Sequence, residues 1–148
     1  MAIVRLEPFR EFATLQGRVN RLFGGVYLRD EDVTARGGWV PSVDIYETDS
    51  HEVVIKAELP DMTREAIEVT VENNTLTLRG ERKLPGDVKE EQFRRVERHY
   101  GAFTRSFTLP NTVDASKVSA EYKHGVLTVK LPFREEAKPR TINVEVAA

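Results

Sequence analysis

The middle of the chain, from about Trp39 to Phe133, alternates between apolar and polar residues with the period of two that β-strands have. In His51–Leu59 the odd positions from Val53 onward are apolar, and the even positions are charged except for Val54. Similar runs cover Ile67–Val71, Thr75–Leu78, Phe103–Leu109, Val118–Tyr122 and Leu127–Leu131. Tight turns are expected at Asn73-Asn74 and at His124-Gly125. No helical pattern alternates with these runs, so about seven short strands predict an all-β, antiparallel β-sandwich.

The first 38 residues have a different pattern and are predicted to form an N-terminal arm, 1–38. Apolar residues at helical spacing predict an amphipathic helix from about Pro8 to Phe23. The apolar stripe of this helix consists of Phe9, Phe12, Val19, Leu22 and Phe23. Gly24-Gly25 suits the end of that helix, and Gly37-Gly38 ends the connector that follows. The apolar stripe either packs on its own domain or, held on a flexible connector, associates with other apolar surfaces.

The last part of the chain, 134–148, is predicted to be a C-terminal extension of the 39–133 domain. A charged linker, Arg134–Arg140, precedes an alternating segment in which Ile142, Val144 and Val146 are apolar. Two interpretations remain open. The segment is either the last strand of the sandwich or a strap that adds as a strand to a neighbouring subunit, with Ile142 and Val144 filling apolar pockets.

Arg105 lies between Phe103 and Phe107 on the apolar face of its predicted strand. A buried charge without a partner is costly, so one interpretation gives Arg105 a carboxylate partner at a subunit interface. The other is a frayed or bulged strand that lets the side chain reach water. The polar run Val88–Arg98 is likewise open to two interpretations. It is either a solvated loop or, through Phe93 and Val96, an edge segment lent to a partner.

Composition excludes several chemistries. Of 148 residues 31% are charged, and 22 Lys+Arg against 24 Asp+Glu leave a net charge of −2, which disfavours nucleic-acid binding. There are no cysteines and only three scattered histidines, so no metal site is suggested. No phosphate-binding glycine loop or nucleophile motif is present, so no enzyme and no cofactor are expected. No apolar run reaches the length of a membrane span and no secretory signal is visible, so a cytoplasmic protein is expected.

Five motifs in order resemble the small heat-shock protein, or α-crystallin-domain, family of the bacterial and plant type. The strongest is Ala120–Pro132, in which Ala120, Gly125, Val126 and Leu127 match the family signature A-x-x-x-x-G-V-L. Glu97–Pro110 is similar to the preceding strand block. The opening strands are matched by Pro41–Glu47 and Val53–Pro60, and Ile142-Asn143-Val144 by the I-x-I/V tail motif. The second apolar position of this motif is Val144, where isoleucine is commonest in the family.

The resemblance implies an immunoglobulin-like β-sandwich and an ATP-independent holdase, which binds partly unfolded client proteins and keeps them refoldable by ATP-dependent chaperones. It implies dimers that exchange the Leu84–Val96 segment and then assemble into larger homo-oligomers. By the same resemblance, Arg105 stabilises the dimer or its strand packing. Ile142 and Val144 bind a neighbour's groove between two edge strands, and the apolar residues of the arm serve assembly and client capture.

Two other functions compete with this one. A monomeric β-sandwich adaptor that recognises one folded partner is disfavoured by the tail motif and by the phenylalanine-rich arm. A hydrolase with a pair of carboxylates has only the 24 acidic residues in its favour.

Overall fold

The computed structural model of the protein describes residues 39–146. The described chain forms seven β-strands: β1 Val43–Glu47, β2 Glu52–Glu58, β3 Ile67–Glu72, β4 Thr75–Arg82, β5 Gly101–Thr108, β6 Ser119–Lys123 and β7 Val126–Pro132. Four single-turn 3-10 helices lie between and after them: Arg64–Ala66, Glu90–Gln92, Ala115–Lys117 and Glu135–Ala137. Every strand that the sequence pattern predicts in the 39–133 region is present. The helix predicted at 8–23 lies outside the described residues.

The strands form two antiparallel sheets that pack face to face. One sheet has four strands in the order β1-β2-β7-β6, and the other has three in the order β3-β4-β5. The antiparallel β-sandwich predicted from the alternation is therefore confirmed. Within the described chain, β1 and β6 are the edges of the larger sheet, and β3 and β5 are the edges of the smaller one.

The core is made by the apolar positions of each alternating run. In β2 the residues Val53, Ile55 and Ala57 are buried, as the pattern predicts. Val54 lies on the opposite face, among the polar positions of the pattern. It is nevertheless buried, with only 3% of it exposed. Its register neighbours on that face are Tyr46 of β1 and Lys130 of β7, and a residue of a central strand is flanked on both sides.

Both predicted turns have the backbone conformation that their residues favour. The φ angles are +49° and +57° at Asn73 and Asn74, and +53° and +74° at His124 and Gly125. Positive φ at both central residues is typical of two-residue hairpins, whose twist matches that of the flanking strands. A β-carbon on Gly125 would also come within 3.1 Å of the Pro60 Cα. Both the positive φ and the close approach of Pro60 therefore favour glycine at position 125.

The Gly125→Ala substitution should lower the free energy of unfolding by about 1–2 kcal/mol, since an L side chain is strained at positive φ. The matched control is Gly86→Ala, because a β-carbon at Gly86 has no heavy atom within 4 Å. Urea denaturation followed by circular dichroism measures both variants. Equal midpoints for the two variants would contradict this account of the turn.

Candidate functional site

The stacking of the sheets decides which edges face each other. Arg105 of β5 donates a hydrogen bond from Nη1 to the Pro41 carbonyl, at 2.9 Å, just before β1. The rings of Trp39 and Phe103 meet edge-on at 5.3 Å beside it. The β5 edge of one sheet therefore lies over the β1 edge of the other. The remaining edges, β3 and β6, come together on the opposite side of the sandwich.

This second side carries an apolar surface that we call the β3–β6 edge. Its members are half-buried, pack against the core and come from the two edge strands and their approach: Ile67, Val69, Val71, Val118 and Tyr122. The Tyr122 hydroxyl hydrogen bonds with the carbonyl oxygens of Leu59 and Met62, at 2.7 and 3.0 Å. Because Met62 leads into β3, this side chain ties β6 to the other sheet and fixes the edge.

The C-terminal segment leaves the sandwich after Arg134. Phe133 is buried and forms the last bridge, to Val113, and the Arg134 Nε donates to the Val113 carbonyl at 3.1 Å. Beyond it, Ile142, Val144 and Val146 are 82%, 87% and 93% exposed. No strand includes them in the described chain, so the interpretation as a last strand of their own sandwich is wrong. An alternating apolar segment is left facing solvent.

Arg105 sits in a regular strand. It lies opposite Leu78 in the continuous ladder between β4 and β5, so the frayed or bulged alternative is wrong. The side chain is half-buried, and besides its bond to Pro41 its guanidinium lies 5.2 Å from the centre of the Phe107 ring. The carboxylate partner at a subunit interface stays a prediction.

Residues 83–100 connect β4 to β5 without forming a strand, and they contain one turn of 3-10 helix. Leu84, Val88 and Val96 are exposed in it, and Phe93 is half-buried. A cavity of about 620 Å³ lies between the loop and Trp39. In the described chain the solvated-loop interpretation therefore fits, while the loan of this segment to a partner stays a prediction.

Arg82 holds the two stems of this loop together, and sequence reasoning did not single it out. Only 6% of Arg82 is exposed. Its Nε donates to the His99 carbonyl at 2.7 Å, its Nη2 reaches the same oxygen, and its Nη1 donates to the Pro60 carbonyl at 3.3 Å. The guanidinium also lies 4.0 Å from the centre of the Trp39 ring, a cation–π contact.

A second arginine fixes the same stem from outside. The Arg98 Nη2 lies 2.8 Å from the Asp61 carboxylate, and this hydrogen bond raises the pKa of Arg98 above its ordinary value. Asp61 stands at a positive φ of 60° directly after Pro60. The turn after β2 is thus bound to the loop stem by both arginines.

The four signature residues lie together in the β6–β7 hairpin. Ala120 is exposed on β6, Gly125 makes the turn, Val126 is half-buried and Leu127 is in the core. Of the other predicted site residues, Phe9, Phe12, Val19, Leu22 and Phe23 lie outside the described residues. Residues 39–146 contain no cluster of three or more potential metal-binding His, Cys, Asp or Glu side chains.

Two sheets with this strand order, an apolar edge on one side and a detached apolar tail define an α-crystallin-type β-sandwich. The chain belongs to the Hsp20/alpha crystallin family, whose model matches residues 45–146. Members of this family are small heat-shock proteins, known as chaperones. The resemblance inferred from the five motifs is confirmed.

Individual relatives agree with the family match. The chain is 34% identical over 147 residues to the 18 kDa heat shock protein of Streptomyces albus G, covering 96% of this chain and 92% of that one. It is 36% identical over 104 residues to the small heat shock protein C4 of Rickettsia felis, covering 70% of this chain but only 63% of that protein's length. A small heat-shock protein from Xylella fastidiosa, whose crystal structure has a distinct high-order structure, superposes with a TM-score of 0.62 at 40% identity, covering 73% of this chain and 98% of that one.

No helix among residues 39–146 is both long enough and apolar enough to cross a membrane.

Proposed function

We propose that this protein is an ATP-independent holdase that assembles into homo-oligomers in the cytoplasm, binds partly unfolded proteins and prevents their aggregation. The observation that carries the proposal is an apolar tail, exposed beyond 80% at Ile142 and Val144, on a sandwich that also presents an apolar edge. A subunit with both a donor segment and an acceptor edge can join copies of itself. Neither catalysis nor a cofactor has a part in this function.

Assembly would use two surfaces. Ile142 and Val144 would dock on the β3–β6 edge of a neighbouring subunit, which the Arg134–Arg140 linker allows because it carries the tail away from its own sandwich. Each buried aliphatic side chain contributes roughly 1.5–3 kcal/mol before ordering costs, so the contact gains strength by repetition. The dimer would form by exchange of the 84–96 segment, with Phe93 and Val96 as its apolar anchors, and Arg105 would stabilise it.

Client capture is assigned to the N-terminal arm. Partly unfolded proteins expose apolar surface, and the stripe of Phe9, Phe12 and Phe23 offers a matching one. The high content of charged residues, 31%, keeps such a complex dispersed in water. Clients held in this way would then be refolded by ATP-dependent chaperones.

The decisive experiment is the heat-induced aggregation of a client protein, followed by light scattering with and without ATP. We expect suppression that is unchanged by ATP. The Phe9→Ser/Phe12→Ser variant should lose most of it, while the matched control Arg10→Ser, between the two, should keep it. Failure of the unmodified protein with several clients at several temperatures would overturn the holdase function.

A monomeric adaptor is the competing function. Size-exclusion chromatography with light scattering separates the two, because the adaptor remains a monomer at micromolar concentration and the holdase does not.

A further inference from the structure

The apolar alternation of the tail does not stop at the two residues of its motif. Val146 continues it, and at 93% it is the most exposed large apolar side chain in the described chain. The β3 strand, the acceptor in the proposed contact, has the same alternation, with three half-buried residues, Ile67, Val69 and Val71. Tail and edge strand therefore present three apolar residues each, at the same spacing of two.

The tail and β3 match in the length of their apolar segments as well as in the number of apolar residues. A strand rises about 3.3 Å per residue, so Ile142 to Val146 spans about 13 Å when extended, as does Ile67 to Val71. Within residues 39–146, β3 pairs only with β4, so its outer row of backbone N–H and C=O groups can accept another strand. Strand addition would give the main-chain hydrogen bonds, and alternate side chains would fill the apolar edge.

We propose that the tail of a second copy adds to β3 in the parallel direction, with Val146 as a third docking residue beside Val71. The proposal rests on the tail docking proposed above and extends it. It assigns to Val146 a role in assembly, and it gives the contact a register and a direction.

The polar faces decide the direction. On β3 the outward residues are Glu68, Thr70 and Glu72, and Glu68 lies opposite Arg79 of β4. An antiparallel tail aligned on its three apolar residues would bring Glu145 opposite Glu68, and like charges directly opposite destabilise a sheet.

A parallel tail avoids this repulsion. It brings Asn143 beside Glu68, where the amide can donate to the carboxylate, and Glu145 beside Thr70. The row across the sheet then reads Arg79, Glu68, Asn143, with complementary groups throughout.

The role of Val146 is tested on the full chain by dilution, with the assembly followed by light scattering. The Val146→Ser variant should dissociate at a concentration roughly tenfold higher than the unmodified protein, since it loses one buried aliphatic side chain per contact. The matched control Glu145→Ser should dissociate within twofold of the unmodified protein. Equal dissociation of both variants and the unmodified protein would overturn the third docking residue.

Tail docking itself is checked in the same series. If Ile142→Ser/Val144→Ser also leaves the assembly unchanged, the docking proposed above fails. If that double variant dissociates while Val146→Ser does not, only the present inference fails.

The direction is tested by disulfide formation, which the absence of cysteine from the chain makes simple. Adjacent strands lie about 4.8 Å apart, within the Cα separation that a disulfide allows. Val146→Cys combined with Val71→Cys should form a ladder of crosslinked subunits under mild oxidation, and Val146→Cys combined with Ile67→Cys should not. Each single-cysteine variant is the control. A ladder from the Ile67 pair, or none from the Val71 pair, would overturn the parallel register.

Discussion

Replacing Ile142 and Val144 together by serine should reduce the oligomer to dimers. Both side chains are more than 80% exposed in the subunit, so their loss leaves the sandwich itself intact. In the assembly they would be buried on a neighbour's β3–β6 edge. Two aliphatic side chains per contact contribute about 3–6 kcal/mol, which corresponds to a factor of at least a hundred in each dissociation constant. Mass measured by light scattering at micromolar concentration should therefore fall several-fold.

The control for this change is Thr141→Ser/Glu145→Ser, which alters the polar face of the same segment. It should keep the mass of the unmodified protein. Circular dichroism should give the same β-spectrum for both double variants, because no described strand includes the tail. A serine variant that keeps its full mass would show that subunits join through other surfaces.

The Gly80→Ala substitution should destabilise the sandwich more than the same change at Gly125 or Gly86. A β-carbon at Gly80 would lie 2.6 Å from the Ala66 carbonyl oxygen and 2.7 Å from the Phe103 ring. Gly80 lies opposite Phe103 in the ladder of β4 and β5, so the ring occupies the space that the glycine leaves. The backbone oxygen cannot rotate away as a flexible side chain would. We expect a loss of about 3 kcal/mol in the free energy of unfolding, the upper end for overpacking.

Thermal unfolding measures this loss directly. For a domain of this size, about 3 kcal/mol lowers the midpoint by 10 °C or more. Gly86→Ala again serves as the control, since its β-carbon meets nothing within 4 Å. The comparison is made at equal subunit concentration, because assembly shifts the apparent stability. A midpoint within 2 °C of the control would contradict the close packing around Gly80.

The sandwich could be predicted from the sequence because its strands bury one face each. Period-two alternation then appears directly in the residue types, as in Val53, Ile55 and Ala57 of β2. The turns were equally readable, since Asn73-Asn74 and His124-Gly125 favour the positive φ that short hairpins need. Pairing order and the stacking of edges are long-range properties, and no local pattern encodes them.

The burial of Arg82 was not predicted from the local sequence pattern. The pattern predicted a strand over Thr75–Leu78, but β4 continues to Arg82. Counting on from Leu78 by twos passes through Gly80 and places Arg82 on the inner face, by the parity argument that singled out Arg105. Gly80 interrupts the apolar alternation, so the pattern ends the predicted strand at Leu78 and does not reveal the buried arginine.

The candidate docking surfaces were readable only in part. The tail motif gives the donor side, because Ile142 and Val144 alternate with polar residues in a segment behind a charged linker. The acceptor edge was expected only through the family resemblance. Its residues, such as Val69 and Tyr122, have the same types as core residues, and only the fold leaves them half-buried.

The contact between Arg82 and Trp39 gives the protein an optical label of its own. Trp39 is the only tryptophan in the chain, so intrinsic emission at long excitation wavelengths comes from this one ring. The ring is stacked on a cation at 4.0 Å, and its Nε1 donates to the Gly101 carbonyl at 3.1 Å, at the far stem of the 83–100 loop. Any rearrangement of that stem changes the polarity around the indole. The proposed exchange of the 84–96 segment between subunits can thus be followed by fluorescence, without dye or added probe.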